Sequence, residues 1–152
     1  MPLLTLTVLP FAATMLFDPQ FDLPALRQHL QRHPAQTLVV CYCAAWCDTC
    51  TQYRPQLEQL ATQWPQHGFI WVDIEENPEW LGEEDVEDFP TLLVQNAQGR
   101  NLFFGPQLPY IGHLERLLKH LAEDRQNSPT QGNLPPLRGW ILGSATTRFS
   151  AA

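Results

Sequence analysis

All four cysteines of this chain, Cys41, Cys43, Cys47 and Cys50, fall within ten residues. What surrounds them restricts the fold. Residues 37–44 (TLVVCYCA) are apolar and rich in β-branched side chains, which suits a central strand buried on both faces. Ala45-Trp46-Cys47-Asp48-Thr49-Cys50 follows, and then Tyr53, Leu57, Leu60, Ala61 and Trp64 recur at helical spacing. Two cysteines therefore lie on a buried strand and two open a helix, which Pro55 is predicted to bend.

The rest of the chain repeats this alternation. Residues 23–32 read as a helix, with Leu23, Leu26 and Leu30 on one stripe, Asp22 as its N-cap and Pro24 in its first turn. Residues 69–74 (FIWVDI) read as a second buried strand, and residues 92–95 as a third. Asn96-Ala97-Gln98-Gly99 is a hairpin turn signal, with a returning strand over 101–104. Leu114, Leu117, Leu118 and Leu121 predict an amphipathic helix over 113–124. The order implies an α/β domain: a central mixed β-sheet flanked by helices on both faces.

At 152 residues and 44% hydrophobic composition the chain suits one domain with its own core. We expect that domain over 16–124, an N-terminal extension over 1–15 and a flexible tail over 125–152, where Pro, Gly, Ser and Asn crowd without periodicity. Residues 1–17 carry no charge, but Pro10 breaks the apolar run and the first basic residue is Arg27. An extension, with Met15 as a possible start, fits that pattern better than a secretory signal. No segment reads as a membrane span. The formal charge of −7 is opposite to what a nucleic-acid surface needs.

Chemistry concentrates at Cys47-Asp48-Thr49-Cys50. A helix N-terminus presents unpaired N–H groups and the positive end of the helix dipole, which favour a thiolate, the reactive form of cysteine. A second cysteine one turn on can reach back to the first, so the pair can cycle between dithiol and disulfide. Cys41 and Cys43 are two apart on a strand and point to the same face. They are read as small buried hydrophobes. A reserve redox pair and a four-thiolate metal site are the alternatives. A bond between i and i+2 would strain an extended strand, and zinc sites usually draw their cysteine pairs from two loops. His29, His33, His67, His113 and His120 show no convincing ligand spacing and are read as surface residues. No metal or bound cofactor is expected.

The stretch Ala44-Ala45-Trp46-Cys47-x-x-Cys50, with Pro55 beyond it, resembles the thioredoxin family. So do Val72-Asp73-Ile74-Glu75-Glu76-Asn77-Pro78 and Phe89-Pro90-Thr91-Leu92-Leu93, followed by the hairpin signal and Gly105. The resemblance covers residues 17–124 and implies a thioredoxin fold with disulfide oxidoreductase activity. It makes Cys47 the attacking thiol and Cys50 the resolving one. It places Trp46 and Phe89 beside substrate, and Pro90, in a cis peptide, against the disulfide. Asp48-Thr49 replaces the usual Gly-Pro, and a carboxylate at Asp48 works against the neighbouring thiolate. Cys41 stands where the family has a buried aspartate, and Trp71 where a lysine commonly partners it.

Half of the acidic residues, Glu75, Glu76, Glu79, Glu83, Glu84, Asp85, Glu87 and Asp88, lie just before Pro90. They are expected to form a solvated segment, part of which rims the site and steers basic partners. The resulting expectation is a cytoplasmic, monomeric reductase of protein disulfides fed by a separate reductase, with no nucleic-acid or membrane partner. The alternatives are a non-catalytic binding or chaperone module, and an exported disulfide oxidase or isomerase.

Overall fold

A computed structural model describes residues 15–123 and 130–143. Five strands form one sheet in the order β1-β3-β2-β4-β5. They are β1 (Leu16–Phe17), β2 (Thr37–Cys43), β3 (His67–Asp73), β4 (Thr91–Gln95) and β5 (Asn101–Pro106). Strands β1, β3 and β2 run parallel, β4 is antiparallel to β2, and β5 is antiparallel to β4. This is the mixed sheet expected from the sequence.

The two faces of the sheet divide the core. On one face Val39, Cys41 and Cys43 of β2 join Phe69 and Trp71 of β3 and Leu92 and Val94 of β4. They pack against Tyr53, Leu57 and Leu60 of α2 (Asp48–Gln63) and Leu114 and Leu118 of α3 (Ile111–Glu123). On the other, Leu38, Val40, Tyr42, Ile70 and Val72 meet Leu26 and Leu30 of α1 (Pro19–Arg32). The period of two along each strand sends alternate residues to opposite cores. Pro55 removes one N–H from the ladder of α2 but does not end the helix.

Two expectations are corrected here. Helix α1 begins at Pro19, capped by Asp18, whose side chain accepts a 3.0 Å hydrogen bond from the Gln20 N–H. Asp22, expected to be the cap, marks a kink inside the helix, and its carboxylate accepts from the Asp18 N–H. Second, the flexible tail is ordered over 130–143. Leu134, Leu137 and Ile141 enter the second core, the last two from α4 (Leu137–Leu142). Residues 1–14 of the expected N-terminal extension or signal lie outside the described residues, as do 124–129 and 144–152. Among the described residues no helix is long and apolar enough to cross a membrane.

Of the five histidines, His67 is set apart by burial at the start of β3, between the rings of Trp64 and Phe69. Desolvation pulls its pKa down to about 4, against about 6.5 in an unfolded chain. Below pH 6.5 the unfolded chain therefore binds a proton that the folded chain refuses. The stability contribution is full above pH 6.5 and is lost as pH falls toward 4. Urea midpoints are expected to fall between pH 7.5 and pH 5, and to fall less in His67→Phe, which keeps an aromatic ring there. Equal slopes would show that His67 is not the titrating group.

Candidate active site

The site forms where β2 runs out and α2 begins. Cys43 is the last residue of β2, and its carbonyl accepts a 2.9 Å hydrogen bond from the Ile74 N–H. The chain turns at once: the Cys47 N–H donates to the Ala44 carbonyl at 3.1 Å, and Cys47 becomes the N-cap of α2. Its side chain makes no capping hydrogen bond. Asp73 clamps this turn. Its nearly buried carboxylate accepts from the Ala45 N–H at 3.1 Å and from the Glu75 N–H at 2.9 Å. A carboxylate holding two backbone donors fixes the loop that presents Cys47.

The thiols are graded by depth. Cys47 is partly exposed, Cys50 is buried one turn into α2, and Cys41 and Cys43 are buried on β2. Asp48 is exposed beside Cys47, and Thr49 is half-buried. Cys43 and Cys50 are joined in a disulfide, with a Cα–Cα separation of 5.8 Å, and Cys41 and Cys47 are free thiols. This pairing departs from the two sequence expectations that concern it. Cys43 is not an inert buried hydrophobe, and Cys50 bonds to a strand cysteine rather than to Cys47. The physical reason is that the β2 face carrying Cys43 packs directly against the α2 face carrying Cys50. With two of the four sulfurs bonded to each other, a four-thiolate metal site is not formed. Among the described residues no group of three or more His, Cys, Asp or Glu is placed to hold a metal.

Cys41 is a fully buried free thiol. Its sulfur lies 3.9 Å from that of Cys43, and burial pushes its pKa strongly up, opposed by the nearby Arg54 guanidinium. Arg54 is a residue that the sequence reading missed. One turn beyond Cys50, it sits 5.0 Å over the Trp71 ring and 3.3 Å from the Asp18 carboxylate. A cation therefore does stand near Cys41, although Trp71 has replaced the expected lysine. Arg54, Cys50, Trp71, Asp73, Asp18 and Phe21 line an open cleft of about 510 Å³. A signal for Arg54 was present: it is the only Lys or Arg between Arg32 and Arg100.

On the outer side, Trp46 is 64% exposed. Its indole N–H donates to Glu75 at 2.8 Å, and its ring meets Phe89 edge-on at 5.7 Å between centroids. The Phe89–Pro90 peptide is cis. Thr91 pairs with Tyr42 across β4 and β2, so Pro90 lies at the same end of the sheet as Cys43. The Pro90 carbonyl accepts from the Gln107 N–H at 2.9 Å, which brings the segment carrying exposed Leu108 to the same rim.

A thiol at the start of the helix that follows a central strand, with a cis-proline at the same end of a mixed α/β sheet, defines the thioredoxin-like class of protein. The family model Thioredoxin matches residues 23–108, more than half of the sequence; the chain belongs to the thioredoxin family. It is 39% identical over 56 residues to putative thioredoxin H10 of Arabidopsis thaliana, covering 37% of this chain and 36% of that protein. It is 33% identical over 57 residues to thioredoxin-1 of Saccharomyces cerevisiae, covering 38% and 55%. The matches thus span from about a third to just over half the length of these two relatives. Among solved structures, Schistosoma mansoni thioredoxin aligns with a TM-score of 0.57 at 22% identity, over 72% of this chain and 99% of that one. That likeness supports the fold.

Proposed function

We propose that this protein is a thiol–disulfide oxidoreductase that reduces protein disulfides through Cys47 and Cys50. The Cys47 thiolate attacks one sulfur of the substrate, forming a mixed disulfide and releasing the first substrate thiol. The Cys50 thiolate then attacks the Cys47 sulfur and releases the second, so two electrons pass from the chain to the substrate. The observation that carries this reading is the gradient of exposure: Cys47 is reachable at the N-cap, and Cys50 is buried one turn behind it. An outer thiol can meet a macromolecule, while a buried inner one can be reached only by sulfurs of its own chain.

Trp46, Phe89 and Leu108 offer an apolar landing surface beside Cys47, with Pro90 behind it. Glu75 and Glu76 on one side, and Glu87 and Asp88 on the other, are exposed around that surface. Their charge favours basic partners. The chemistry needs no bound cofactor if a separate reductase supplies the electrons. It suits a reducing compartment such as the cytoplasm.

Insulin reduction by dithiothreitol tests the reading. Wild type is expected to accelerate insulin precipitation, and Cys47→Ser to return it to the uncatalysed rate. Undiminished activity in Cys47→Ser would overturn the assignment of the attacking thiol. An inactive wild type would favour a binding module on the same fold.

A further inference from the structure

Cys50 has two candidate sulfur partners, one on its own helix and one on β2. Cys47 lies outward at the helix N-cap, partly exposed, and Cys43 lies inward on β2, fully buried and bonded to Cys50. Thiol–disulfide exchange needs the attacking, central and leaving sulfurs roughly in line. Cys50 is the sulfur common to both bonds, so it is the central atom of that exchange. Cys43 also has little freedom to move away. Its carbonyl is held by the Ile74 N–H, and it pairs with Asp73 of β3. Cys41 is no rival for Cys50, because it is Cys43 that holds the bond, and a Cys41–Cys43 bond would distort an extended strand.

We propose that Cys43 is a third redox residue, which takes Cys50 over from Cys47 after the substrate has left. The step rests on the proposed Cys47–Cys50 exchange and follows it. The Cys43 sulfur attacks Cys50, and its proton passes to the departing Cys47 sulfur. The Cys43–Cys50 bond forms, the Cys47–Cys50 bond breaks, and Cys47 departs as the thiol. No electrons enter or leave, since one disulfide replaces another. The two oxidising equivalents are then stored in a buried bond, and Cys47 is free again. The oxidised chain keeps a nucleophile that a two-cysteine site would have consumed. It can attack a further small disulfide such as glutathione disulfide, forming a Cys47–glutathione bond and releasing glutathione thiolate. With Cys50 engaged, nothing in the chain resolves that adduct.

Full-length protein oxidised with excess trans-4,5-dihydroxy-1,2-dithiane, acid-quenched, denatured and labelled with N-ethylmaleimide tests this. The expected labels, located by tandem mass spectrometry, are on Cys41 and Cys47. Labels on Cys41 and Cys43 would overturn the relay, and dithiothreitol-dependent insulin reduction by untreated protein of the same preparation would leave the reductase reading standing. A Cys43–Cys50 bond in a wild type that does not reduce insulin would make the bond structural and end both readings. In a second arm, native oxidised wild type is expected to gain one glutathionyl group from glutathione disulfide, and folded, oxidised Cys43→Ser to gain none. Cys43→Ala gives the same readout if the serine variant does not fold. Equal glutathionylation of wild type and the Cys43 variant would overturn the proposal.

Discussion

Cys50→Ala is expected to stop turnover while leaving the first chemical step intact. Cys47 keeps its place at the N-cap and can still attack, so a mixed disulfide with the substrate accumulates. It then waits for an external thiol. Well-oriented intramolecular groups behave as though present at ~10⁵ M or more, and external thiols are millimolar. The loss in steady-state insulin reduction should therefore be at least ~10³-fold, far beyond what a packing defect at a 1% exposed side chain would cause. Non-reducing electrophoresis should show the trapped adduct, and dithiothreitol should dissolve it. The same substitution removes the partner of Cys43, so the variant has no route to either internal bond. Turnover within tenfold of wild type, without an adduct, would show that Cys50 resolves nothing.

Much of the fold was legible because burial writes a simple pattern. Strands β2 and β3 are buried on both faces, so they read as mostly apolar runs at 37–44 and 69–74. Helix α3 shows its leucine stripe because only one of its sides is buried. The start of α1 was misplaced because Asp18 and Asp22 are both competent caps, and only packing shows that Pro19 is already helical. The site was legible as a location and less so as a pairing. Sequence spacing shows that Cys41 and Cys43 share a face, but not that this face meets Cys50 across the strand–helix contact. Spacing along one strand bears on a bond between Cys41 and Cys43 but is silent on a bond from strand to helix. Asp73 lay within the residues that carried the family resemblance, yet its clamp on Ala45 joins segments 28 residues apart. Arg54 was overlooked because its role near Cys41 is electrostatic and leaves no periodicity.

The C-terminal segment escaped for a different reason: it is held by polar side chains of the sheet. Gln95 and Asn101, at the ends of β4 and β5, are buried amides. Gln95 donates to the Asn101 side chain at 2.7 Å and to the Pro135 carbonyl at 2.9 Å, and accepts from the Leu137 N–H at 2.8 Å. Asn101 donates to the Leu134 carbonyl at 2.9 Å. Arg138 reaches back to the Gln36 carbonyl at 2.7 Å, and Arg27 to that of Ile141 at 2.9 Å. Such bonds leave a sequence rich in Pro and Gly looking like a tail, although the segment closes the second core. Leu137 is the anchor, fully buried at the start of α4. Leu137→Ala should therefore cost about 2–5 kcal/mol, the range for truncating a buried leucine and leaving a cavity. That is a large share of the ~5–15 kcal/mol that typically holds a domain together. Because α4 lies across the sheet from α2, insulin reduction by the folded fraction should be unchanged. Urea denaturation at pH 7.5 reads the cost directly. A change below about 0.5 kcal/mol, the level of an ordinary surface substitution, would mean that residues 130–143 hang on the domain without supporting it.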